Sequence, residues 1–70
     1  MTPDELRKAR EDAGFNMEEL ARIAGKQYNT IWRYEYGKLP VPQLLEIVVL
    51  LIQNKKNRRF VEKYLNFPLP

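Results

Sequence analysis

Three residue types that carry much of enzyme and metal chemistry are missing from this 70-residue chain: it has no cysteine, no histidine and no serine. Without cysteine there is no disulfide to staple a small core, no thiolate to hold a metal, and no mark of an oxidising compartment. The absence of histidine excludes imidazole acid–base chemistry and His-ligated metals, and the absence of serine and cysteine removes the commonest nucleophiles. Carboxylates, lysines and tyrosines remain, but catalysis with these needs a deep pocket that so short a chain can hardly enclose. No enzymatic activity, cofactor, metal or small-molecule ligand is therefore expected. Long apolar runs are scarce too. The longest, Leu44 to Ile52, is interrupted by Glu46 and falls far short of the ~20 residues that cross a bilayer. The opening MTPDELRK lacks the basic region and apolar stretch of a signal peptide. The expected location is the cytoplasm, with no membrane partner.

Seventy residues suit one small domain, in which only roughly 60% of the unfolded chain's surface can be buried. The net charge of +3 is unevenly placed. Residues 1–25 carry four cations against six anions, and residues 26–70 carry eight cations against three anions. A basic excess confined to one part of the chain suits a polyanionic partner, although solvated surfaces show it as well.

The punctuation of the chain is helical throughout, with no β alternation and no internal repeat. Thr2-Pro3-Asp4-Glu5 opens a first helix, with Thr2 as N-cap, Pro3 at the first helical position and Glu5 closing a capping box. Leu6, Ala9 and Ala13 give it a narrow apolar face, and Gly14 stops it. Asn16 caps a second helix whose first turn holds Glu18 and Glu19, where the dipole favours anions. Leu20, Ala21, Ile23 and Ala24 form its buried side, and Gly25 ends it in the conformation that only glycine adopts without strain. A third helix runs from about Gln27 to Tyr36 and closes at Gly37. Two helices joined by a short Gly-containing turn have the sequence form of a helix-turn-helix unit, here about residues 17–36.

The third helix has two candidate inner faces. Tyr28, Asn29, Trp32, Arg33 and Tyr36 share one face, and Ile31, Tyr34 and Glu35 share the opposite one. An aromatic stripe at i, i+4, i+8 ordinarily points to a core. Against that, Asn29 and Arg33 lie on the same face, and an arginine rarely faces a core without a partner. Periodicity alone leaves both orientations open.

Leu39-Pro40-Val41-Pro42 is a stiff connector, and Pro42 suits the first position of a fourth helix. Eight of the nine residues from Leu44 to Ile52 are apolar, so that helix is hydrophobic all round and carries more apolar surface than one small core can hide. The surplus is expected to meet another subunit. Residues 53–59, QNKKNRR, break the pattern and read as a solvated inter-helix turn rather than a DNA-binding arm. Phe60, Val61, Tyr64 and Leu65 resume helical spacing as a fifth helix capped by Asn57. Helices 4 and 5, about residues 42–65, and the Phe67–Pro70 tail are the expected dimerisation elements, through Leu45, Val48, Val49, Ile52, Phe60, Tyr64 and Phe67.

Leu6 through Pro42 resembles the Cro/CI-type repressors, the lambda-repressor-like or XRE family of DNA-binding domains. The resemblance rests on LRKAR in the first helix, Gly14 before a capped second helix, the pair Leu20-Ala21, Gly25 in the turn, and T-I-x-R-Y-E-x-G-K from Thr30 to Lys38 followed by proline. It implies an all-α, five-helix lambda-repressor-like bundle that binds a palindromic double-stranded DNA operator as a homodimer. It also implies that Ile31 and Tyr34 face inward while Tyr28, Asn29, Trp32 and Arg33 face DNA. The acid at the position of Glu35 pairs, in that family, with the arginine of the first helix, which here is Arg10.

Residue roles follow from chemistry once that orientation is taken. Gln27 and Asn29 carry amides able to bond adenine bidentately, and Arg33 can bond guanine O6 and N7. Tyr28 and Trp32 suit thymine methyls or phosphates. Asn16 and Met17 stand at the N-terminus of the second helix, where backbone N–H groups hold phosphate, and Lys26, Tyr36 and Lys38 are phosphate contacts that position without reading sequence. Each of these competes with an ordinary solvated side chain. Two residues depart from the family pattern: Lys26 replaces an apolar residue after the turn glycine, and Met17 replaces a frequent glutamine. The expectation is a sequence-specific transcriptional regulator, a phage- or plasmid-type autorepressor such as those of antitoxin or anti-CRISPR operons. The competing expectation is an adaptor that keeps the fold and uses the Tyr28/Trp32/Tyr36 face or the fourth helix to hold a partner protein.

Overall fold

The capping signals at the head of the chain set the first two helices. The computed structural model describes residues 1–65, with side chains through residue 63. Helix α1 spans Pro3–Asp12, α2 Met17–Ala24, α3 Tyr28–Glu35, α4 Gln43–Ile52 and α5 Lys55–Leu65; the described residues are all-α. The Glu5 N–H donates to Thr2 Oγ1 (3.1 Å) and the Thr2 N–H donates to Glu5 Oε1 (2.8 Å). Asn16 and Glu19 repeat the arrangement at the head of α2, at 2.8 and 2.9 Å. Each box satisfies two amides that the helix itself leaves without partners. Between α2 and α3, Gly25 takes φ 66°, and the Lys26 N–H closes back on the Ala21 carbonyl at 2.8 Å. That left-handed cap turns the chain within three residues, so that α3 packs directly on α2.

The core is built where α1, α3 and α4 meet, with α2 laid across α3. Leu6, Ala9 and Ala13 of the α1 segment, Leu20 and Ala21 of α2, Ile31 and Tyr34 of α3, and Leu45, Val49 and Ile52 of α4 are all buried. Phe15 joins them. It precedes the N-cap of α2 and Leu20 follows as N4, the two positions of a hydrophobic staple.

Helix α4 corrects the expected dimer interface. Leu45, Val49 and Ile52, assigned above to a second subunit, lie at i, i+4, i+7 and are sealed inside the chain's own core; they cannot meet another copy without unfolding this one. Val48 is half-buried and packs at the core edge. The outward apolar residues are Leu44, Ile47, Leu50 and Leu51, 46–77% exposed. Phe60 is exposed as well. The side chain of Tyr64 and the whole of Phe67 lie outside what is described. Pro42 occupies the N-cap of α4 rather than its first helical position.

A second correction concerns residues 55–59, which are helical rather than a turn. Asn54, not Asn57, begins the helix: its Oδ1 accepts the Lys56 N–H at 2.9 Å and its carbonyl accepts the Arg58 N–H at 3.2 Å. Asn57 instead donates its side-chain amide to the Leu51 carbonyl (2.8 Å). Arg58 donates from Nε to the Ile52 carbonyl (2.6 Å) and from its guanidinium to the Ala13 carbonyl, and its cationic carbon lies 5.1 Å from the centre of the Phe15 ring. It thereby satisfies carbonyls at the ends of two helices and fastens α5 to the α1–α2 corner. Among the described residues no helix is long and apolar enough to cross a membrane.

Candidate nucleic-acid interface

The orientation of α3 is decided by what it buries. Ile31, Tyr34 and Glu35 face inward. Glu35 is 5% exposed, and a carboxylate so buried requires a cation with several hydrogen bonds. Arg10 supplies them as a fork: Nε to Oε2 at 2.7 Å and Nη2 to Oε1 at 3.0 Å, with Nη1 left to bond the Phe15 carbonyl at 2.8 Å. The hydrogen bond to Glu35 holds the Arg10 guanidinium above its already high ordinary pKa, against the opposing effect of burial. One side chain of α1 thus fixes the roll of α3 and the path of the α1–α2 corner.

With that side anchored, Gln27, Tyr28, Asn29, Trp32, Arg33 and Tyr36 are all exposed. Tyr28, Asn29, Trp32 and Arg33 surround one open depression of about 400 Å³. Trp32 and Tyr36 stack with ring centres 4.5 Å apart and planes 24° from parallel. Because Tyr36 covers one side of the indole and does not border the depression, Trp32 is held in place while still lining it. Rings 38–57% exposed are unusual together on one helix face, and such patches mark contact surfaces. Among the described residues Arg33, Lys26 and Lys38 make no ion pair, so their donors are available to a ligand. Lys26 and Lys38 flank α3 at its two ends.

The head of α2 is less open than the sequence suggests. Asn16 is exposed, but its side-chain oxygen is engaged by the Glu19 N–H and its own N–H by the Glu19 carboxylate. The Met17 side chain packs against the core. What remains for an anion there is the backbone N–H pair of Met17 and Glu18, orphaned by position in the first turn. Among the described residues no group of three or more acids stands together as a metal site.

Phe15 and Arg58 hold the fold without standing among the expected residues. Phe15 carried a usable signal, the staple spacing to Leu20. Arg58 carried none, since beyond the nearby Ile52 carbonyl its partners are a carbonyl and a ring more than forty residues away. Comparison of the chain with family models, with curated proteins and with solved structures returned no match.

Proposed function

We propose that this chain is a sequence-specific DNA-binding transcriptional repressor of the Cro/CI, lambda-repressor-like type, with α2 and α3 as its helix-turn-helix and α3 as its recognition helix. The observation that carries this reading is the division of α3 into two faces. One is locked inward by Ile31, Tyr34 and the Arg10–Glu35 fork. The other presents two amides, an unpaired guanidinium and three aromatic rings between two free lysines. Amides and a guanidinium on one exposed helix are the donors that read base edges in a major groove, and lysines at its ends suit the phosphates on either side. Tyr28 and Trp32 supply apolar contact to thymine methyls, and Arg33 the bidentate bond to guanine.

The chain acts as a homodimer on a palindromic operator, with two recognition helices one turn of DNA apart, about 34 Å. RNA polymerase is excluded by occupancy, and catalysis and cofactors play no part. A cytoplasmic phage- or plasmid-type autorepressor fits these features. The second copy seats on the outer face of α4, where Leu44, Ile47 and Leu51 recur at i, i+3, i+7, the spacing of a helix-pairing seam. Sedimentation without DNA should show self-association that Ile47→Glu abolishes without unfolding the monomer.

The test of DNA readout is selection from a random duplex library. A recovered inverted repeat, bound with an affinity that falls steeply with salt, is the expected result. Indifference to sequence would favour the adaptor reading, in which the aromatic face holds a protein.

A further inference from the structure

Helix α5 begins against the rule that α1 and α2 obey. Their first turns hold Asp4 and Glu5, and Glu18 and Glu19, where the helix dipole favours negative charge. The first turn of α5 has no acid and opens with Lys55 and Lys56. At about 100° per residue, Lys55, Arg59, Lys63 and Lys56 fall within an arc of about 100°. Lys55, Arg59 and Lys63 follow one another at roughly 6 Å intervals along the axis. All four are exposed, and among the described residues none has an ion-pair partner. Like charges four residues apart weaken a helix, as do cations at its positive end. A sequence that accepts both penalties on one stripe, while placing acids in the first turns of α1, α2 and α4, has a use for that stripe other than folding.

The placement of the stripe narrows the partner. Arg58 is excluded from it, being committed to the Ile52 and Ala13 carbonyls and the Phe15 ring. Those bonds hold the start of α5 at the α1–α2 corner, directly before Asn16 and the orphan amides of α2. Glu11 and Asp12 lie near the same corner but make no ion pair with the stripe, so it is not consumed by internal neutralisation. We infer that Lys55, Lys56, Arg59 and Lys63 form a second phosphate-binding strip, which runs along the backbone of duplex DNA beyond the footprint of α3. The strip rests on the DNA reading proposed above. It adds sequence-independent affinity and carries no base discrimination.

The four-fold variant K55Q/K56Q/R59Q/K63Q tests it by salt titration of binding to the selected operator and to a scrambled duplex. Each lost phosphate contact removes about 0.9 from the slope of log K against log salt, so the slope should become shallower by about 2 to 4. If all four cations engage, the penalty for raising salt from 50 to 200 mM shrinks by on the order of 100-fold. Operator preference over the scrambled duplex stays as in the wild type. Thermal melting guards against misfolding: with like charges gone from the head of α5, the variant should melt no lower than the wild type. An unchanged salt slope in a folded variant overturns the strip and leaves the α3 reading intact. A reduced slope in a protein that shows no sequence preference supports the strip and removes the α3 reading.

Discussion

Helices α1 to α3 and helices α4 and α5 follow opposite rules. In the first group local preference agrees with the packing except on the outward face of α3. Two capping boxes close the heads of α1 and α2, acids sit in the first turns of those two helices, Gly25 ends α2, and Glu35, the one deeply buried charge among the described residues, has a bidentate partner. In the second group local preference and packing part company. Leucine and isoleucine cover the outside of α4, and lysine heads α5. Consistency across levels is what lets a sequence fold to one structure, and departures from it concentrate where a partner is needed. The first group is therefore mainly scaffold with one displayed face. The second leaves apolar and basic surface exposed, the surface that the proposed function gives to association.

The largest effect should come from removing the bond that orients that scaffold. Arg10→Ala leaves the Glu35 carboxylate buried without its cation, which should lower unfolding free energy by about 3–5 kcal/mol. An unchanged melting temperature would break the claim that this fork sets the roll of α3. Next comes a paired test of α4. Leu45→Ala opens the core and should cost about 2–5 kcal/mol, whereas Leu44→Ala, on the exposed side, should change monomer stability by no more than about 0.5 kcal/mol. Equal effects at the two positions would erase the distinction between the inner and outer faces.

A smaller effect is expected at the capping box. Thr2→Ala removes the acceptor for the Glu5 N–H and should cost about 1 kcal/mol by denaturant titration. The smallest is a pH effect at the same box. The Thr2 backbone N–H, and then its side chain, hold the Glu5 carboxyl below its ordinary value of 4.5. A carboxyl lowered on folding contributes its stability in full above its unfolded value and loses it as pH falls through the folded one. The wild type should therefore lose slightly more stability than Glu5→Gln between neutral pH and the acid range, and parallel curves would remove Glu5 from the account.

Legibility in the sequence followed the same division. The heads of α1 and α2, the glycine turn and the burial of Leu6, Ala9 and Leu20 were readable because capping residues and periodic apolar positions are local signals. The faces of α3 were not readable from periodicity alone, since Tyr28, Trp32 and Tyr36 form as good an apolar stripe as Ile31 and Tyr34. Burial of Glu35 against Arg10, a contact across 25 residues, is what separates them. In α4, eight apolar residues in nine leave no contrast from which to tell inside from outside, and Leu45, Val49 and Ile52 went to the wrong partner. The start of α5 was hidden because KKNRR has no apolar residue and opposes the dipole. Its anchor, Arg58, acts through contacts that no local pattern announces.

The most direct measurement is the affinity of Arg33→Ala for the selected operator at fixed salt, beside its melting temperature and its affinity for operators changed one base pair at a time. Loss of the guanine contact should weaken binding by about 1–3 kcal/mol, roughly 5- to 150-fold, and relax preference at one position of each half-site, with stability unchanged. Wild-type affinity and discrimination in a folded Arg33→Ala protein would contradict the assignment of the outward face of α3 to DNA.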